Sequence, residues 1–377
     1  MKESVAQELQ EKIASYQIQQ FRKDLLHWYD TEGRVLPWRQ KPTPYKVWVS
    51  EIMLQQTRVD TVIPYFQRFM SQFPTMEALA EAPEEQVLKA WEGLGYYSRA
   101  RHLHHAVKEV VAEYGSQVPD DPVKLGELPG IGPYTRGAIL SMAYQQPTPA
   151  VDGNVLRVFT RLFNYAEDIE KTKTKKEIEW VVAHCIDPVR PGAFNQAIMD
   201  LGAMVCTPKN PACRNCPVQQ HCLGREAGQA ERLPVKIKKI RVRHETYFVP
   251  VIRTATHVLL HQRPASGLLA KMWEFPMFLD PDGEAEDSLQ LSQWVDKQFA
   301  IQLLYLHEVM KLRHQFSHLE WNVHVYQCRW DEEMDVEKQW SDEIKGAYHF
   351  IPIDQLAQLP LPVVHQKITE WMKSEFE

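Results

Sequence analysis

No uninterrupted apolar run in the 377 residues approaches the roughly 18 that a membrane-spanning helix requires. The chain opens on Met1, Lys2, Glu3 and Ser4 and lacks an apolar stretch of signal-peptide character. These two absences set the expectation of a soluble, cytoplasmic protein. Internal repeats and low-complexity tracts are also missing, which argues against a solenoid or a disordered array. Cysteine is sparse, with six residues, and a large chain without an export signal is not expected to be held by a disulfide framework. Excess positive charge is missing too, the formal net charge being −6. That weighs little against a nucleic-acid partner, because phosphate is bound by a local basic face and not by the total. One such stretch exists: Lys236, Lys238, Lys239, Arg241 and Arg243 alternate with Val235, Ile237, Ile240 and Val242, while acids crowd Asp280 to Asp287 and Asp331 to Glu337. The basic run reads equally as a solvated strand or linker face and as a ligand-facing connector.

What is present divides the chain. At 44% apolar and 24% charged the composition is globular, and the length exceeds one ordinary core, so two domains are expected. Up to Leu223 the pattern is helical, with amphipathic stretches such as Val5 to Trp28 and Glu84 to Trp91 punctuated by Gly and Pro. After Thr246 short β-rich runs take over, Tyr247 to Arg253, Ala255 to Gln262 and Trp321 to Trp330, with a helical stretch at Leu289 to Phe299. The expectation is an all-α domain over 1–223, a polar connector over 224–244 interrupted by Pro234, and an α+β domain over 245–377.

Cys206, Cys213, Cys216 and Cys222 are separated by six, two and five residues, so four thiols sit in a 17-residue loop. That density suits one tetrahedral ion or one cubane cluster. Only Cys213 and Cys216 form the paired knuckle of a zinc ribbon, which leans the spacing towards iron–sulfur, and the polar Lys209, Asn210, Arg214 and Asn215 between them do not suit a cysteine-filled core. Cys185 and Cys328 stand alone and read as ordinary buried thiols. The C-x6-C-x2-C-x5-C spacing after a helical domain resembles the [4Fe–4S] loop of the endonuclease III and MutY glycosylase superfamily.

Leu128 to Thr135 (LPGIGPYT) reads as a helix end, a glycine turn and a new helix with proline in its first turn. Its Gly130 and Gly132 would expose backbone N–H groups at a positive helix end, a natural grip for phosphate, although a bare Gly-x-Gly turn is also a common connector. Together with Asp152, twenty residues after Gly132 in Val151-Asp152-Gly153-Asn154-Val155, it matches the helix-hairpin-helix and aspartate signature of that superfamily. Asp152 also stands where an ordinary N-cap would stand, and a capped carboxylate is expected to remain ionised.

Cleaving a purine N-glycosidic bond needs a proton for the base and a negative charge beside a sugar that becomes oxocarbenium-like. Two acids in different environments are required, the proton donor in an apolar setting that raises its pKa. Glu51, a lone acid in Trp48 to Thr57 (WVSEIMLQQT), is the candidate donor; a solvated helix-face glutamate is the plain alternative. This segment resembles the MutY catalytic helix. The resemblance implies Glu51 as general acid/base, Asp152 as stabiliser of the cation or nucleophile, and Asn154 and Tyr134 beside them. In strand-cutting relatives a Schiff-base lysine follows the Gly-x-Gly-x motif. Tyr134 stands there instead, is expected to donate to Asp152 or the sugar region, and points to a monofunctional enzyme.

An enzyme acting on a base in duplex DNA must extrude it. Gln55, Gln56, Leu94, Tyr96 and Tyr97 are suitable wedges, with Thr57 in the same segment as the glutamines. Gly93 to Arg101 (GLGYYSRAR) resembles the family's intercalating loop, Leu36 to Arg39 the segment that lines the adenine pocket through Trp38 and Arg39, and Gln196 the reader of the adenine edge. Gly267 to Pro276 (GLLAKMWEFP) resembles the Nudix-like recognition domain appended in MutY. The glutamate-rich REUxEE helix of a Nudix hydrolase is missing after it, so nucleotide hydrolysis is not expected. Phe316, Ser317 and His318 resemble the loop that senses oxidised guanine. The resemblance implies a monomeric, nucleoid-associated adenine glycosylase with a [4Fe–4S] cluster, acting on duplex DNA that carries adenine opposite 8-oxoguanine or guanine. A strand-cutting pyrimidine glycosylase is opposed by Tyr134 and the second domain, and an idle iron–sulfur DNA-binding module by the two carboxyls.

Overall fold

The computed structural model describes residues 7–237, 242–280, 288–330 and 336–376. Lys238, Lys239 and Arg241 of the basic run, and most of both acidic stretches, lie outside the described residues.

Helices fill the first part: α1 (Gln7–Ser15), α2 (Ile18–Glu32), α3 (Pro44–Leu54), α4 (Val59–Gln72), α5 (Met76–Glu81), α6 (Glu84–Ala90), α7 (Ser98–Glu113), α8 (Pro122–Glu127), α9 (Pro133–Met142), α10 (Gly153–Leu162), α11 (Thr172–Cys185), α12 (Pro191–Met204) and α13 (Leu223–Glu226). The amphipathic stretch from Val5 to Trp28 is two helices and not one, broken at Tyr16 and Gln17. Tyr16 turns its ring onto Phe163 at 4.6 Å and donates to the His221 carbonyl at 2.9 Å. Proline occupies the first turn of α3, α8, α9 and α12, where its missing N–H has no partner to lose. Around α3, α9, α10 and α12 the buried positions run almost continuously, so these four helices are the core that carries the candidate site.

The later part holds β1 (Arg243–Val251), β2 (His257–Gln262), β3 (Trp273–Glu274), β4 (Phe278–Asp280), α14 (Ser288–Phe299), β5 (Leu303–Gln315), β6 (Leu319–Trp330), α15 (Asp342–Ala347), β7 (Tyr348–Pro352) and α16 (Val363–Phe376). One sheet runs β4-β1-β6-β5, with β1 and β6 parallel and the other pairs antiparallel; the second runs β3-β2-β7, all antiparallel. Side chains alternate between two cores. Val249, Val251, Trp321, Val323 and Val325 face Ile368 and Met372 of α16, and Phe248, Tyr326, Cys328 and Trp330 face Leu291, Val295 and Phe299 of α14.

Contacts divide the chain into one compact unit of Met1–Glu81 with His102–Lys238 and another of Ala82–Arg101 with Lys239–Glu377. The expected boundaries treat 82–101 as part of the helical domain, whereas this stretch clusters with the sheets. Trp273 Nε1 donates to Glu85 Oε1 at 2.5 Å, the Leu361 N–H to Glu92 Oε1 at 2.8 Å, and Lys89 Nζ to the Leu359 carbonyl at 3.0 Å.

Candidate active site

Glu51 lies near the C-terminal end of α3, a helix opened by the Thr43 side chain accepting from the Lys46 N–H at 3.2 Å. The surrounding residues Val47, Trp48, Val49, Ile52 and Met53 are buried, and Glu51 itself is 3% exposed. The helical hairpin brings its partner. Between α8 and α9 Gly130 takes φ +78, which disfavours any residue with a side chain, and a Cβ there would lie 2.8 Å from that of His102. The turn starts α9 at Pro133 with Gly132 as its exposed N-cap. Tyr134, in the first turn of α9, donates its hydroxyl to Glu51 Oε2. The expected partner of Tyr134 was Asp152 or the sugar region. The packing of α9 against α3 points the phenol at Glu51 instead.

Asp152 is the N-cap of α10. Its Oδ1 accepts from the Val155 N–H at 2.7 Å and its Oδ2 from Asn154 Nδ2 at 2.7 Å. Burial pushes the Asp152 carboxyl above its ordinary value, and the N–H groups of Val155 and Asn154 pull the other way by favouring the anion. Burial pushes Glu51 up to about 7; the Tyr134 hydrogen bond and the Arg39 charge oppose this rise and the Asp152 charge adds to it. Tyr134 is held far above the ordinary phenol value by burial and by both carboxylates, so it stays a neutral donor.

Arg39, in a short turn at Pro37–Arg39, feels Glu51 electrostatically and is anchored by an acid the sequence reading did not single out. Asp200 of α12 is fully buried and accepts from Arg39 Nη1 at 2.7 Å, Arg39 Nη2 at 2.9 Å and Arg34 Nη2 at 2.6 Å. Burial alone would raise Asp200, yet the two guanidinium groups bring it below the usual carboxylate range. The signal that could have found it is a lone acid in the apolar run Phe194 to Met204. Trp38 is 4% exposed and packs edge-on to Phe66 at 5.4 Å. Gln196, half-buried on α12, is bonded to Tyr29. Gln55 ends α3 and donates to Thr135 Oγ1 at 3.3 Å, Gln56 is exposed with φ +58, and the Thr57 hydroxyl donates to the Gln55 carbonyl at 3.4 Å.

Cys206, Cys213, Cys216 and Cys222 line one cavity with Val158, Leu162 and Leu201. Among the described residues no three His, Cys, Asp or Glu side chains form a ligand set for a single metal ion. Burial pushes the Cys216 thiol up to about 12, with the other three cysteines adding to the rise. Four thiolates gathered in one cavity repel one another unless a positively charged group lies among them, so the donor set suits a thiolate-bound cluster that supplies that charge. Two arginines of α10, missed from sequence although they are lone charges in an apolar helix, tie this loop down. Arg161 donates to Cys206 Sγ at 3.3 Å and to the carbonyls of Thr207 and Leu233 at 2.7 and 2.8 Å. Arg157 donates to the Cys206 carbonyl at 2.8 Å and to Asn154 Oδ1 at 2.9 Å, and Asn154 holds Asp152.

In the second unit Phe316, Ser317 and His318 form the connection between β5 and β6, closed by the Phe316 N–H donating to the Leu319 carbonyl at 2.7 Å. Phe316 packs edge-on to Trp321 at 4.8 Å, and Ser317 and His318 are exposed. The Gly93 to Ser98 loop and this connection line one cavity, in which the Tyr96 hydroxyl and Ser317 Oγ are hydrogen-bonded at 2.7 Å. Tyr96 is 45% exposed with φ +48, whereas Leu94 and Tyr97 are buried, so Tyr96 alone of the three offers an exposed side chain.

Comparison with known proteins identifies the family. Residues 49–183 match the family described as HhH-GPD superfamily base excision DNA repair protein, and residues 248–371 match the NUDIX domain. A solved thermostable thymine-DNA glycosylase shares the helical fold, with a TM-score of 0.50 and 25% identity over 56% of this chain and 97% of its own. The human adenine DNA glycosylase is 36% identical over 84% of this chain and 70% of its own, and that of Schizosaccharomyces pombe 32% identical over 82% of each. An adenine DNA glycosylase of Buchnera aphidicola is 32% identical over 94% of this chain and 97% of its own length. An all-α helix-hairpin-helix domain followed by an α+β Nudix-like domain, with adenine DNA glycosylases as relatives along most of its length, therefore places this chain in the adenine DNA glycosylase family of base-excision repair enzymes.

Proposed function

We propose that this enzyme removes adenine opposite 8-oxoguanine or guanine in duplex DNA by hydrolysis alone, as a monomer. The observation that carries the reading is a buried Glu51 poised at about 7 beside an N-capping Asp152. At neutral pH part of the Glu51 population is protonated, so it can deliver a proton to the base ring as the glycosidic bond lengthens, and the resulting carboxylate can then take a proton from water. Asp152, held by Val155 and Asn154, supplies the negative charge facing the developing oxocarbenium ion or attacks its anomeric carbon. The neutral Tyr134 hydroxyl orients Glu51 and, having no amine, forms no Schiff base with the sugar, so the strand is left uncut.

Arg39, Trp38 and Gln196 are assigned to the adenine pocket, and Gln55, Gln56, Thr57, Gly130 and Gly132 to the DNA backbone and the vacated stack. Leu94, Tyr96, Phe316, Ser317 and His318 are assigned to the orphaned base. Ser317 and Tyr96 carry the polar atoms able to answer the altered edge of 8-oxoguanine. Cys206, Cys213, Cys216 and Cys222 would hold a [4Fe–4S] cluster, which supplies positive charge and a cross-link to the loop. The test is release of free adenine from a duplex with adenine opposite 8-oxoguanine, comparing wild type with Glu51→Gln under single-turnover conditions. The variant is expected to bind the duplex while losing about 10²–10⁴-fold in rate. Undiminished release by the variant would remove Glu51 from its role, and no release by the wild type would remove the substrate.

A further inference from the structure

We propose that Tyr29 is a positioning residue that sets the sense of the Gln196 carboxamide and so makes the pocket select adenine over 6-oxopurines. This rests on the reading that Gln196 meets the purine edge. A glutamine side chain carries one acceptor and one donor of nearly equal shape, and only its partners decide which points where. Here the partner is a phenol, a better donor than acceptor: the Tyr29 hydroxyl donates to Gln196 Oε1.

Tyr29 is itself held in place. It lies in the last turn of α2, where Gly33 ends the helix by donating to the Tyr29 carbonyl at 2.9 Å. A Cβ on Gly33 would come within 2.9 Å of Tyr29 Cδ2 and Cε2, so the ring lies against a bare Cα. The Arg39 guanidinium sits 5.7 Å from the ring centroid while Asp200 grips its fork. One phenol thus touches both residues assigned to the base. It remains neutral, because burial raises it above the ordinary value and the Asp200 carboxylate, though opposed by Arg39, adds to that rise.

With one Oε1 lone pair used by Tyr29, Gln196 keeps the other lone pair and both Nε2 hydrogens. That set matches adenine, which presents an exocyclic amine beside a ring-nitrogen acceptor. Hypoxanthine presents an oxygen where adenine has the amine, so it demands the flipped carboxamide, which turns Nε2 towards Tyr29 and exchanges the phenol's donation for a weaker N–H contact to its poorly accepting oxygen. A neutral hydrogen bond weakened in this way corresponds to about three- to tenfold in discrimination at most.

The experiment measures single-turnover release of adenine and of hypoxanthine from otherwise identical duplexes with guanine opposite, using the full-length, iron-loaded enzyme. Tyr29→Phe keeps the ring and removes the hydroxyl. It is expected to lower the adenine-to-hypoxanthine ratio about three- to tenfold, with duplex affinity and thermal midpoint unchanged. The same substitution on a Gln196→Ala background is expected to move the ratio less than about twofold, because Tyr29 acts through Gln196. An unchanged ratio in Tyr29→Phe, an equal loss on both bases, or an undiminished effect on the Gln196→Ala background would each overturn the proposal. Absence of adenine release by the wild type would instead overturn the function on which it rests.

Discussion

Glu51, itself buried, accepts from Tyr134 in a part-buried hydrogen bond in the first unit, whereas Tyr96 and Ser317 meet in an exposed one in the second. The same kind of contact, phenol to oxygen, sits in two settings, one at a buried carboxyl and the other open to water. In the buried site burial shifts the carboxyl, and a broken bond leaves an unsatisfied group that costs about 1–3 kcal/mol. At the exposed turn water replaces either partner, so the pair can trade its mutual bond for bonds to an incoming base at little net cost. On the proposed function, chemistry is thus placed where protonation is tuned, and reading where partners exchange.

This contrast can be broken at graded cost. The largest effect is expected at the cysteine loop, where Cys216→Ser leaves three thiols and removes a ligand the proposed cluster needs. Iron content and yield of folded protein should fall together, as measured by metal analysis and circular dichroism. Next comes Asp152→Asn, which keeps a cap for α10 but removes the charge. Adenine release should fall by about 10²–10³-fold while duplex binding persists in a gel-shift assay. Smaller still is Ser317→Ala, expected to reduce the preference for 8-oxoguanine over guanine opposite adenine by about three- to tenfold. Its rate on adenine opposite guanine should stay near wild type, and a rate that fell equally on both duplexes would erase the distinction between the two regions.

Much of this layout was legible in the chain. The hairpin around Gly130 and the cap at Asp152 are local, fixed by turn chemistry and by one side chain reaching three residues along. Local spacing also marks the four cysteines. What sequence could not supply is non-local. Tyr134 is expected to donate to Asp152 or the sugar region and donates to Glu51, a contact made by the packing of α9 on α3. The stretch 82–101 reads as one more helical segment, yet its hydrogen bonds to Trp273, Leu359 and Leu361 place it with the sheets. That placement brings Tyr96 and Ser317, 221 residues apart, to one cavity. β5 went unread because its charged and apolar residues alternate only in part and its pairing slips at two bulges, between Leu303 and Tyr305 and between Glu308 and Met310. Arg157, Arg161 and Asp200 are charges inside apolar helices, a signal present in the sequence whose partners only the fold discloses.

The central claim is that Glu51 works as an acid whose protonation is set by its buried surroundings, and the pH profile of kcat/KM for adenine release tests it most directly. Glu51 must carry a proton to act and does so below about 7, so the rate should fall as pH rises through that value. The Tyr134 hydroxyl favours the ionised form, so Tyr134→Phe should raise the Glu51 pKa and move the falling limb to higher pH. A limb that stays in place in Tyr134→Phe, or that persists in Glu51→Gln, would contradict the account.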